Sequence, residues 1–150
     1  MVLRRGLAVL GFALWFGGLT LYSLVVIPTA HAVLRSHARV GFITQGVTPW
    51  INAAGVLALI PLLWDLLATR KESSSRLRWG TWTLMAIAQA ALLALHPVLG
   101  AFLDPSSKEI AEPERFYDVH RVYLLITTAQ WAAALPHLWT VLRAWTPPRV

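Results

Sequence analysis

Four long apolar runs, separated by short segments that carry most of the charge, constrain this chain more than any other feature. They cover roughly 7–29, 48–68, 79–103 and 119–142, with Gly41 as an earlier alternative start for the second. Each is long enough to cross a hydrocarbon core of about 30 Å at about 1.5 Å per residue. Only 13% of the 150 residues are charged and the mean hydropathy is +0.58, too apolar for an ordinary soluble domain. The expectation is a single all-α domain over 1–150, an up-down four-transmembrane helix bundle in which short connections make sequence neighbours antiparallel.

Arg4 and Arg5 ahead of the first run, and Ala30-His31-Ala32 after it, imitate a signal peptide. The run is longer than an h-region of about 7–15 residues, so it reads as a membrane span.

Orientation follows from basic residues near the span ends. Arg4, Arg5, Arg70, Lys71, Arg76, Arg78, Arg143 and Arg149 fall on one side, and Arg35, Arg39, Lys108, Arg115 and Arg121 on the other. The excess predicts a multi-pass protein of the cytoplasmic membrane with both termini cytoplasmic. The 104–118 segment, with five of the seven acidic residues, then lies outside. The net charge of +6 belongs to this flanking pattern. It forms no basic cluster interleaved with aromatics, so nucleic acid is not an expected partner. The chain has no cysteine, which removes disulfides, thiolate metal sites and cysteine nucleophiles.

Helices in membranes pack through small and polar residues, because apolar side chains gain little by leaving lipid for protein. Spacings of three and four pick out such stripes. They are Gly11, Trp15, Gly18, Tyr22, Val25 and Thr29 in the first span, and Gln45, Thr48, Asn52, Gly55, Leu59 and Leu62 in the second. The third gives Trp82, Ala86, Gln89, Leu93, His96 and Gly100, and the fourth His120, Tyr123, Thr127, Gln130, Ala134 and His137. Gln89 and Gln130 sit at equal depth near the midplane, which predicts a hydrogen bond between them, since an unpaired amide in hydrocarbon is costly.

Toward the outer end, Tyr22, Asn52, His96, His120 and Tyr123 are expected to point inward and form the best candidate site. His96 is an ionisable residue within a span, beside Pro97. Asp118 is expected to cap the fourth helix, with Arg121 pairing with Asp118 or Asp104 or reaching headgroups. His31 and His37 are placed in the first outer loop, and His137 at the cytoplasmic end. Trp50, Trp64, Trp79, Trp139 and Trp145 read as an interfacial belt, and Trp15 and Trp131 as core. No H-E-x-x-H, Walker loop or G-x-S-x-G motif is present. The few intramembrane charges also argue against a proton-driven transporter.

Three segments resemble the small four-helix membrane family represented by transmembrane protein 205 and its bacterial relatives. They are LWFGGLTLYSLVVIPTAHAVL, FITQGVTPWINAAG and RFYDVHRVYLL. The third span, ALHPVLGAFLD, is similar to the polar cluster before proline that the family tends to carry. The resemblance implies the four-helix membrane fold and no defined activity.

Two readings of function follow. The first is a non-catalytic accessory or structural subunit of a larger membrane complex, whose partners are lipids and other membrane-protein subunits. The glycines of LGFALWFGG and Ala129, Ala132 and Ala133 would then be contact points. The second is a small redox or ligand-binding protein that holds haem b, a metal or a quinone at His96 and His120, with Tyr22, Asn52 and Tyr123 in support. The first is preferred, with no cofactor or metal assigned. A bis-histidine haem is disfavoured because His96 and His120 differ in depth by about 5 Å.

Overall fold

The computed structural model describes residues 2–69, 75–104, 106, 107 and 109–145. Arg70, Lys71, Lys108 and Arg149 lie outside these, as does the tail after Trp145. The fold is all-helical apart from one very short hairpin. In chain order it comprises α1 (Val2–Leu21), a π-helical turn (Tyr22–Val26), α2 (Ile27–Leu34), α3 (His37–Ala68), α4 (Ser75–Ala101), β1 (Leu103–Asp104), β2 (Glu109–Ile110) and α5 (Pro113–Trp145).

α1, the π turn and α2 run on as one helical stretch, Val2–Leu34. Pro28 is responsible for the wide turn. It offers no N–H and its ring crowds the carbonyl one turn back. The ladder opens to a five-residue step there, with Ile27 N–H bonded to Tyr22 O. One extra residue in the turn rotates everything beyond it. The inward face therefore runs Ala8, Phe12, Trp15 and Leu19, then Ser23, Ile27 and His31 along the cavity described below. Past the turn the expected stripe is lost, with Val25 52% exposed and Thr29 exposed; Tyr22 stays on the cavity, and Gly18 is already exposed because the face before the turn runs through Leu19.

The connection between the first two helical stretches is much shorter than expected. α2 ends at Arg35, held in the left-handed region at φ 47°, and Ser36 caps α3 by accepting from Arg39 N–H at 3.4 Å. A two-residue turn puts α2 and α3 side by side and places His31 and His37 on helix ends rather than in a loop, their ring centroids 4.9 Å apart.

The main core draws on all four long stretches: Phe12, Trp15 and Leu19, then Ala58 and Leu62, then Met85, then Ala133 and Ala134. Phe16 stacks on Trp131 at 5.2 Å and 13°, and Trp131 Nε1 donates to Thr20 Oγ1 at 3.0 Å, closing α1 against α5. Trp15 and Trp131 are thus core residues. Trp50, Trp64 and Trp139 face outward. The buried face of α4 runs Arg78, Thr81, Met85, Gln89, Leu92 and Leu99. Of the expected stripe Gln89 is buried, His96 lines the cavity described below and Gly100 packs on Gln45, while Leu93 is 47% exposed. The rotation is set by Arg78 and Thr81, whose polar groups must meet partners on α3 and α5.

α5 starts at Pro113, earlier than expected, because proline suits a first helical turn and Phe116 N–H bonds back to Glu112 O at 2.9 Å. Asp118 is therefore a residue of the helix body, exposed, and not its cap. Among the described residues neither Asp118 nor Arg121 makes an ion pair, and the local one joins Arg115 to Glu112 at 2.9 Å.

Three stretches, Val2–Leu34, His37–Ala68 and Arg76–Ala101, are long and apolar enough to cross a membrane. α5 is not among them. Its hydropathy is diluted by Tyr123, Thr127, Gln130 and His137, the residues that face the other helices.

Candidate functional site

Two polar constellations occupy opposite ends of the helices. Beside the α2–α3 turn and the hairpin, a cavity of about 360 Å³ collects all five expected residues, Tyr22, Asn52, His96, His120 and Tyr123. It also takes in His31 and His37, which the sequence reading left in a loop, and Gln130 at its floor. A roof of Leu99, Leu103 and Phe116, backed by Phe42, Phe102, Ile110 and Val119, closes the top. The hairpin carries part of that roof: Leu103 pairs with Ile110, and Asp104 with Glu109.

The floor is a connected amide network. Gln130 Nε2 donates to Gln89 Oε1 at 3.0 Å and to Met85 O at 3.2 Å. Gln89 Nε2 donates to Asn52 Oδ1 at 3.4 Å. The Tyr123 hydroxyl donates to Asn52 Oδ1 at 3.4 Å and accepts from Asn52 Nδ2 at 3.3 Å. α3, α4 and α5 are thus tied at one depth, and the expected Gln89–Gln130 bond is present. Gly55 makes it fit, since a Cβ there would run into Gln89 Oε1 and Cδ and Trp15 Nε1. Gly100 serves Gln45 in the same way.

Above this floor two buried polar atoms are unpartnered: His96 Nε2 and Tyr22 Oη. Tyr22 lies beside Thr48 and Tyr123 without completing a bond of proper geometry. His120 is held differently, its ring stacked on Phe116 at 5.6 Å and 10°. No group of three metal-ligating side chains comes together among the described residues.

The constellation at the opposite end centres on Asp65. Asp65, 0% exposed, lies 2.9 Å from Arg4 Nε and 2.8 Å from Arg78 Nη2, itself 0% exposed. Trp145 Nε1 donates to both carboxylate oxygens at 3.2 Å. Arg78 Nη1 also bonds Thr69 Oγ1, which in turn donates to Asp65 O at 2.6 Å. Thr81 Oγ1 meets His137 Nδ1 at 2.9 Å, and the Arg5 guanidinium sits 5.2 Å from the Trp145 ring. Arg4, Arg78 and Trp145 were read as flanking charges and belt. They are instead a clamp that joins α1, α3, α4 and α5 through one carboxylate. Asp65, an acid at the edge of a span, was the available signal, because a buried carboxylate requires cationic partners.

The contact points suggested for an accessory subunit divide. Gly17, Gly18, Ala129 and Ala132 face outward, but Gly11 packs on the Ala58 backbone and Ala133 is in the core. Comparison with family models, curated proteins and solved structures finds no match.

Proposed function

We propose that this chain is a four-span membrane protein of the cytoplasmic membrane, both termini cytoplasmic, that binds a small organic molecule in its outer cavity without chemically converting it. Supporting the membrane setting, large apolar side chains such as Leu14, Leu57, Ile87 and Leu125 are exposed on all the long helices. A water-soluble monomer rarely presents so much contiguous apolar surface.

The observation that carries the binding reading is His96 Nε2 and Tyr22 Oη, buried and unpartnered in a cavity of about 360 Å³. Buried polar groups are normally hydrogen-bonded, and an unpaired one costs about 1–3 kcal/mol. Small-molecule sites span about 300–1,000 Å³ and combine apolar walls with a few convergent polar groups. A ligand that satisfies both atoms accounts for their burial. The floor network, already satisfied internally, shapes the site.

Native mass spectrometry of protein extracted from its source membrane in mild detergent tests this. A small organic mass at fixed stoichiometry, lost in His96→Leu, is expected. A bare chain, or extra protein mass in place of a small molecule, would overturn it, and the latter would return the accessory-subunit reading.

A further inference from the structure

The cavity reaches the surface at Ser23 and Leu124, and also at His37 and Tyr117 near helix ends, all four exposed residues of its lining. Arg5 over the Trp145 ring, the Phe16–Trp131 stack and the Thr20–Trp131 hydrogen bond bridge the first helical stretch and α5. Beyond Thr20, no hydrogen bond or ring stack joins the π turn or α2 to α5 among the described residues. Ser23 on the π turn and Leu124 on α5 both line the cavity and are both exposed, Leu124 at 52%. Each lies roughly 16 Å along its helix from the nearer end, Leu34 or Pro113, at about 1.5 Å per residue. The part of the exposed lining farthest from the helix ends thus lies between the π turn and α5, outside the neighbouring Tyr22 and Tyr123.

We infer that the occupant is a lipid-soluble molecule with an apolar tail and a head bearing acceptor oxygens, a quinone in chemical class, which enters from the outer leaflet between Ser23 and Leu124. This rests on the binding reading above. The Tyr22 hydroxyl is a donor, and a neutral imidazole protonated at Nε2 is a second, so two carbonyl oxygens on one head suit them. Apolar surface gains little on passing from lipid tails to a protein wall. The tail therefore sets the route, and the two hydrogen bonds set the affinity. Leu19, Ile27 and Leu124 offer the tail an apolar passage to the lip.

The test uses the full chain in nanodiscs and two probes, decylubiquinone and the same benzoquinone head with a methyl in place of the tail. Saturable quenching of tryptophan fluorescence, to which Trp15 in the cavity wall contributes, reports binding. His96→Leu and Tyr22→Phe are each expected to weaken both probes about tenfold. Ser23→Phe narrows the lip at an exposed position. It is expected to weaken the tailed probe at least about tenfold and to leave the tail-less one within about twofold. Leu124→Trp on the opposite lip should repeat that pattern, with thermal melts confirming that both variants fold. Equal effects of the lip variants on both probes, or no effect on either, would overturn lateral entry. If the wild type carries a small mass in native spectra yet neither probe binds, the head chemistry is wrong while the pocket stands. A bare chain in those spectra removes the pocket itself.

Discussion

Gln130 Nε2 reaches Gln89 Oε1 at 3.0 Å, with both residues almost fully buried. The bond joins α4 to α5 and carries the network on to Asn52 on α3. Replacing one partner strands the other in an apolar layer. Gln130→Leu is expected to destabilise by about 1–3 kcal/mol, the cost of a stranded buried amide. The double variant Gln89→Leu/Gln130→Leu should cost less than the sum of the singles, because it strands fewer groups. Thermal melts of the four proteins in one detergent measure this, and strict additivity would show that the pair is not coupled.

Asp65 holds two guanidiniums and an indole at the end of the helices opposite the cavity. Asp65→Asn keeps the shape and removes the charge, leaving Arg78 buried without a counter-ion. The expected loss is about 3–5 kcal/mol, as for other broken buried pairs, read as reduced folded yield and a lower melting temperature. Asp65→Asn combined with Arg78→Met should recover part of it. A neutral Asp65→Asn would mean that the clamp does not hold the helices.

Gly55 faces Gln89 and Trp15 so closely that a methyl group has no room. Gly55→Ala gains helix propensity of about 1 kcal/mol but forces the amide network apart, an overpacking cost of about 1–3 kcal/mol. Net destabilisation is expected. Gly17→Ala, where nothing lies within 4 Å, should be stabilising, and the opposite signs of the two melting shifts form the check.

Asp104 accepts from the Ser106 hydroxyl at 2.7 Å, the Ser106 N–H at 2.8 Å and the Ser107 hydroxyl at 2.9 Å. These bonds, the Ser106 hydroxyl foremost, lower its pKa from 3.8 to about 2. A depressed carboxylate stabilises the turn fully above its unfolded value and loses that contribution as pH falls through the folded one. The turn should therefore stay intact at pH 4 and loosen between about 4 and 2. Carboxyl chemical shifts of Asp104 and exchange of the Ser106 amide across that range measure it. Ser106→Ala should move the midpoint upward, and a midpoint already near 3.8 in the unaltered protein would contradict the geometry.

What the sequence determined by itself was set by local and periodic rules. Long apolar runs demanded helices, and their number and order are those observed. α5 kept its inward face because polar residues at spacings of three and four leave one rotation that avoids stranding them. Equal depth then paired Gln89 with Gln130, and inward-facing positions toward one end of the helices gathered Tyr22, Asn52, His96, His120 and Tyr123.

Tertiary structure decided what periodicity cannot express. Pro28 widened one turn, and that extra residue carried Ser23, Ile27 and His31 onto the face assigned to Val25 and Thr29. A two-residue turn at Arg35 and Ser36 brought His31 and His37 to the cavity. Arg4, Asp65, Arg78 and Trp145 lie far apart along the chain, and each alone passes for an interfacial residue. Only the packing of their helices puts one carboxylate between two guanidiniums. Charge burial is a property of the assembled contact, because a side chain's solvation depends on which helices surround it.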